Sequence, residues 1–272
     1  MTIIQSIILG IIQGLTEFLP ISSSAHLVLA PYLFGWHIPQ DQIFVFDVLV
    51  QLGTLVAVII YFWKDLIGII TAFLSGIWNR KPFADPQARL GWNLILATIP
   101  AGIIGLLLKS RVESVFSSPT WTALLLLATA GLLFMAERFG KRMRKLNQIG
   151  WVDSLWIGFS QALAIFPGIS RSGATIAGAM TRDFERPAAA RFSFLMSIPI
   201  MLAAGLNASL DLVKVPNLSS FLPVVLAGFI SAAIVGYFSI RWLLGYLTKK
   251  PLTIFALYCV LFSAICLIVI YV

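Results

Sequence analysis

Six stretches of this chain are each long and apolar enough to cross the ~30 Å hydrocarbon core of a bilayer, which takes about 17–25 such residues. They are Phe46–Phe62, Leu90–Leu108, Thr120–Ala136, Ala189–Leu210, Val224–Leu247 and Leu252–Val272. In lipid every backbone N–H and C=O must find its partner inside the chain, so segments of this length cross as helices. The fold class that follows is an all-α polytopic membrane protein. Composition agrees: 59% of the 272 residues are hydrophobic and only 11% charged, against about 25% charged in soluble domains. Little is left over for a soluble unit, and residues 1–272 read as one membrane domain.

The charge of +8 does not signal nucleic acid. Eleven of the 19 basic residues lie in four patches at span ends: Lys64; Arg80, Lys81 and Arg89; Arg138 to Lys145; Lys249 and Lys250. That is the positive-inside pattern, with anionic lipid headgroups as the partner. The N-terminal MTIIQSIILGIIQG has no basic leader and no small-residue cleavage site, and is not read as a signal peptide. Cys259 and Cys266 are seven apart on one helix, roughly 10 Å along its axis, too far for a disulfide. No Walker loop, Cys/His zinc spacing or Rossmann fingerprint occurs.

Placing Arg138–Lys145 in the cytoplasm orients the six spans consistently, and parity then forbids residues 1–40 and 146–187 from being single crossings. Each holds two apolar pieces broken by Pro, Gly and Ser. Both are therefore expected to be re-entrant helical hairpins, the first dipping from outside and the second from the cytoplasm. Residues 66–78 either extend the preceding span or lie on the cytoplasmic surface. The two leftover regions also resemble each other. At an offset of 148, Gly10 matches Gly158, Gln13 Gln161, Leu15 Leu163, Phe18 Phe166, Ile21 Ile169, Ser22 Ser170 and Ser24 Ser172. A repeat entered from opposite sides implies an inverted-topology duplication, with halves of about 1–136 and 146–272 and the hairpin tips meeting near the midplane.

The tips carry the polar chemistry. Gln13 and Glu17 are one helical turn apart, Pro20 stops that helix, and Ser22, Ser23, Ser24 and His26 open the next. Serines at a helix start cap it and leave N–H groups and hydroxyls for an anion. The second tip presents Gly168, Ser170, Arg171, Ser172 and Thr175, where glycine permits a tight turn and the planar guanidinium suits phosphate. An intramembrane Glu and Arg can also serve as a structural lock. Buried ionisable groups in membranes are nonetheless functional by default, and His26 beside Glu17 and three serines points to catalysis. Asp47 and Gln51 form a further polar pair at a span start.

QGLTEFLPISSSAH at 13–26 and PGISRSGAT at 167–175 resemble the two motifs of the bacterial undecaprenyl-diphosphate phosphatase family, which is linked to bacitracin resistance. FDVLVQLGTLVAV at 46–58 is similar too, and the resemblance covers essentially the whole chain. Gln13 stands where many members carry glutamate, and Ser24-Ala25 where Thr-Gly is usual. The resemblance implies hydrolysis of undecaprenyl diphosphate to undecaprenyl phosphate and inorganic phosphate, recycling the lipid carrier for cell-wall synthesis. It implies a divalent metal, Mg2+ or Ca2+, in a site open to the outer face of the bacterial cytoplasmic membrane. On that reading Glu17 and Gln13 hold the metal, Arg171 clamps phosphate oxygens and His26 is general acid or base. The nucleophile is Ser23 or a water activated by His26. Ser22, Ser24, Gly168, Ser170, Ser172 and Thr175 complete the phosphate site. The rival is an inverted-repeat transporter or flippase of the lipid carrier, which needs no nucleophile, and the two activities are compatible. The partners expected are the substrate and membrane lipids, not nucleic acid; assembly as a homodimer stays open.

Overall fold

The computed structural model describes residues 1–38, 40–108, 115, 118–212 and 218–272, with only the backbone for 40–45, 206–212 and 218–220. Pro39, within the first expected hairpin region, lies outside the described residues. Eleven α-helices and a short 3-10 turn make up the described regular structure, with no β-strand among the described residues. The first two helices are α1 (Ile3–Thr16) and α2 (Ser23–Leu33); α3 (Gln40–Tyr61), α4 (Trp63–Trp78), α5 (Pro86–Leu107) and α6 (Pro119–Phe139) follow. Then come α7 (Trp151–Leu163), α8 (Arg171–Met180), α9 (Arg186–Leu212), α10 (Leu218–Leu247) and α11 (Thr253–Tyr271).

Local sequence explains the starts. The Thr2 hydroxyl accepts from Gln5 N and the Gln5 side chain answers on Thr2 N, a capping box for α1. Asp85 and Ser118 cap α5 and α6, each followed by proline at the first helical position. Five helices are long and apolar enough to cross a membrane by themselves, and α3 with α4 forms a bent pair that makes a sixth. The bend is 79°, so residues 66–78 do not extend the preceding span in a straight line. Outward faces carry large apolar residues at lipid-facing spacing, as at Leu222, Leu226, Ile230, Ile234, Phe238 and Trp242 of α10.

The two leftover regions fold as helix–turn–helix units. α1, α2, α7 and α8 have 14, 11, 13 and 10 residues. At 1.5 Å per residue they reach about 21, 17, 20 and 15 Å, each short of the ~30 Å core. The repeat extends to packing: α1 lies along α10, α7 along α5, and α6 pairs with α11. The matched glycines do the same work in both halves. A Cβ on Gly10 would sit 2.3 Å from Gly228 O, and one on Gly158 would sit 2.5 Å from Ala97 O. Small residues let these helices meet backbone to backbone. The core lies between the tips and the long helices, around Phe18, Leu29, Phe62, Phe192 and Phe194.

Charge collects at one end of the bundle. Glu137, at the end of α6, accepts from Arg186 at 2.5 and 2.7 Å and from Leu252 N at 2.8 Å. Asp153 accepts from Arg144 at 2.6 and 2.9 Å and from Arg182 at 2.9 Å. Arg191 meets Asp65 at 2.8 Å. Arg144, from the basic stretch Arg138–Lys145, thus shares Asp153 with Arg182. Burial pushes the Asp153 carboxyl up, but hydrogen bonds from Arg144, the Gly150 N–H and Arg182 outweigh it and hold the group below its usual range. Cys259 and Cys266 are both free thiols, in keeping with their spacing.

Candidate active site

The two hairpin tips meet around one carboxylate. α1 ends at Glu17, and the turn through Pro20 leads to Ser22, whose φ of 69° is unusual for a residue with a side chain. The Ser22 hydroxyl caps α2 by accepting from Ala25 N at 3.3 Å. In the second tip Ser170 caps α8 by accepting from Gly173 N at 3.0 Å. The repeat is visible in these bonds: Ser22 and Ser24 hydroxyls lie 3.2 Å apart, and Ser170 and Ser172 hydroxyls 3.1 Å apart. Ser23 and Arg171 then occupy equivalent places, each the first residue of its helix. Both grip Glu17. Ser23 donates to Oε2 at 2.6 Å, and Arg171 Nη2 donates to Oε1 at 2.8 Å. Gln13 Nε2 adds a third bond, to Oε2 at 2.9 Å.

A cavity of about 210 Å³ opens over this cluster. Glu17, Ser22, Ser23, Ser24, Ser170 and Arg171 line its polar wall, joined by Gln51; Ile165, Ile169, Ile200 and Met201 line the apolar side. The volume falls below the ~300–1,000 Å³ of pockets that enclose a drug-sized ligand, so it suits a head group whose remainder lies outside. Arg171 Nη1 is buried with no hydrogen-bond partner among the described residues, and so is the Gln13 amide oxygen. A guanidinium with one arm on a carboxylate and the other unpaired is half of a bidentate anion clamp. The N–H groups at the start of α8 add to it.

Other expected residues are near but not in the cavity wall. Ser172 donates to Leu19 O at 3.0 Å and so ties one tip to the other. Thr175 is fully buried; its hydroxyl donates to Arg171 O at 2.7 Å and pairs with Ser193 at 2.6 Å, which fastens α8 to α9. Gly168, at φ 103°, presses on α6, where a Cβ would meet Thr122 O at 2.4 Å. Gln13 lies under Glu17. His26 is turned away from the cavity lining: Nδ1 is 2.7 Å from Ser22 O, Nε2 is 2.7 Å from the Tyr258 hydroxyl, and the ring stacks on Phe262 at 4.4 Å. The expected general base therefore has both ring nitrogens engaged away from Glu17. Gln51 reaches the cavity. Asp47 does not line it, and its buried Oδ1 has no partner among the described residues.

One supporting residue escaped the sequence reading. Thr129 of α6 donates to Gly168 O at 2.9 Å and accepts from Ser170 N at 2.8 Å, holding both ends of the turn before Arg171. The only signal was a hydroxyl within an apolar span. Among the described residues no group of three His, Cys, Asp or Glu side chains converges. The oxygen donors present are the Glu17 carboxylate and the unpartnered Gln13 amide. They fit a hard divalent cation that takes one or two carboxylates and completes its shell with phosphate and water.

Residues 6–265 match the family described as bacitracin resistance protein BacA. The chain is similar to proteins named undecaprenyl-diphosphatase in several organisms. That of Thermomicrobium roseum is 42% identical over 277 aligned positions, covering 99% of both chains. That of Chlorobium phaeovibrioides is 42% identical over 95% of this chain and 93% of its own. That of Desulforudis audaxviator is 44% identical over 94% of each.

Proposed function

This chain belongs to the bacitracin resistance protein BacA family, and on that footing we propose that it is an integral-membrane phosphatase. It hydrolyses undecaprenyl diphosphate to undecaprenyl phosphate and inorganic phosphate. The observation that carries this reading is the 2.6 Å bond from the Ser23 hydroxyl to Glu17, a nucleophile resting on its base, beside the unpaired arm of Arg171. A carrier that only moved the lipid would need the anion clamp but not this pair.

The head group enters the cavity while the prenyl chain stays in lipid. Arg171 and the N–H groups opening α8 bind the terminal phosphate and stabilise the charge that grows on it. Ser23 attacks the terminal phosphorus as Glu17 takes its proton. The bond to the bridging oxygen breaks, Glu17 passes its proton to the departing undecaprenyl phosphate, and the phosphoryl group remains on Ser23. Water then attacks that phosphorus as Glu17, ionised again, takes its proton; the bond from phosphorus to the Ser23 oxygen breaks, Glu17 returns the proton to that oxygen, and inorganic phosphate departs. Glu17 and the Gln13 amide oxygen would hold a magnesium or calcium ion, which when bound neutralises phosphate charge. The protein resides in the bacterial cytoplasmic membrane with the cavity toward the outer face. The positive-inside bias of the basic residues at span ends supports that orientation.

The test is phosphate release from undecaprenyl diphosphate by purified protein in detergent, with magnesium or with chelator. Release should require the metal and fall by about 10³-fold in Arg171→Ala and Ser23→Ala, the scale expected for loss of a transition-state clamp or nucleophile. Near wild-type release by a folded Arg171→Ala protein would refute the assignment.

A further inference from the structure

His26 touches the site through one peptide group only. Its Nδ1 lies 2.7 Å from Ser22 O, and a carbonyl oxygen can only accept, so Nδ1 carries the proton. Nε2 of that tautomer has a free lone pair and accepts from the Tyr258 hydroxyl at 2.7 Å. Phe262 lies flat on the ring, 4.4 Å between centroids and 2° between planes. The ring is fixed on two edges and a face, and the residue is only 6% exposed.

The carbonyl it holds belongs to Ser22, which is in the left-handed region at φ 69°. A non-glycine residue stays there only when its surroundings over-determine it. His26 supplies that constraint twice, since its backbone N–H also reaches Ser22 O at 3.3 Å. The Ser22–Ser23 peptide sets where the Ser23 side chain starts, and Ser23 donates to Glu17. At the equivalent cap of the second hairpin Ser170 has an ordinary φ of −69°, and the residue matching His26 at an offset of 148 is Ala174. The imidazole is present where the strained cap is and absent where it is not.

We propose that His26 and Tyr258 are a positioning pair: Tyr258 selects the Nδ1–H tautomer of His26, which pins the Ser22 carbonyl and so aims the Ser23 hydroxyl at Glu17. His26 moves no proton during turnover. This rests on the assignment of Ser23 and Glu17 as nucleophile and base.

Asparagine separates positioning from acid–base chemistry, because its amide nitrogen stands where Nδ1 stands yet has no titratable group. The experiment measures phosphate release from undecaprenyl diphosphate against pH, with kcat and KM resolved and thermal unfolding alongside. The proteins are wild type, His26→Asn, His26→Gln, His26→Ala, Tyr258→Phe and Ser23→Ala. His26→Asn should keep kcat within about tenfold, with a pH profile of unchanged shape. His26→Gln and His26→Ala should lose about 100-fold in kcat with little change in KM, the cost of a nucleophile about 1 Å out of place. Tyr258→Phe should lose about threefold to tenfold, one hydrogen bond's worth. A well-folded His26→Asn as inactive as His26→Ala, or one that loses a limb of the pH profile, overturns the inference. Should His26→Asn unfold early, Tyr258→Phe decides, and unchanged kcat there overturns the pair. Full activity in Ser23→Ala, or none in wild type, removes the Ser23–Glu17 assignment and this inference with it. That result is distinct from a failure confined to His26.

Discussion

The first and second hairpins share a backbone plan and have divided the labour. Both have a capped second helix, a serine pair hydrogen-bonded across the cap and a glycine that seats the first helix on a long one. At matched positions the side chains then diverge. Glu17 faces Ile165, Ser23 faces Arg171 and His26 faces Ala174. The first hairpin holds the carboxylate, the hydroxyl and the strained cap; the second holds the cation and an unstrained cap braced by Thr129. His26, Tyr258 and Phe262 stack beside α2, whereas Ala174, Ala177 and Gly178 leave a groove of about 390 Å³ beside α8. Even the shared glutamine differs. Gln13 donates to Glu17, while Gln161 is buried with neither amide atom partnered among the described residues. The two hairpins offer similar frames, and a charge pair split across them ties one tip to the other.

That division can be tested at three depths. Glu17→Gln should have the largest effect, at least about 10³-fold in phosphate release, since it removes the proposed base and leaves Arg171 uncompensated. Unfolding measurements would separate the catalytic loss from destabilisation, and a folded variant with ordinary turnover would break the comparison. Thr129→Val keeps the shape of the side chain but deprives both Gly168 O and Ser170 N of their partner. A loss of about 2 kcal/mol in stability and about tenfold in kcat is expected by denaturation and steady-state kinetics, because Arg171 follows Ser170. Gln161→Leu should be the gentlest. Replacing a buried, unpartnered amide with an apolar side chain of similar size should raise stability by about 1 kcal/mol and leave turnover unchanged. A fall in activity there would mean that the second glutamine is not idle.

Much of this was legible beforehand because lipid leaves few choices. Long apolar runs become helices long enough to span, and two proline- and glycine-broken regions that parity cannot place become short helix pairs. Their repeated sequence also carried over into repeated caps and helix contacts. The bend at Phe62 was not legible, since 46–62 and 66–78 are both apolar and periodicity does not show a 79° turn. Thr129 looked like any hydroxyl in a span, because its two partners lie 39 and 41 positions away. The direction in which His26 points was not legible either. Its neighbours in sequence are the serines and Glu17, but a helix turns by 100° per residue, and the imidazole points to Tyr258, 232 positions distant.

The residue types at the two tips, the membrane-bound fold class and the presence of a repeat belong to the sequence, since hydropathy, charge and identity at a fixed offset are local or one-dimensional quantities. That Glu17 is gripped by Ser23 from its own hairpin and by Arg171 from 154 positions away belongs to tertiary structure alone. Which side chains face the cavity and which face away depends on helix rotation and on packing between distant segments, and neither is written along the chain.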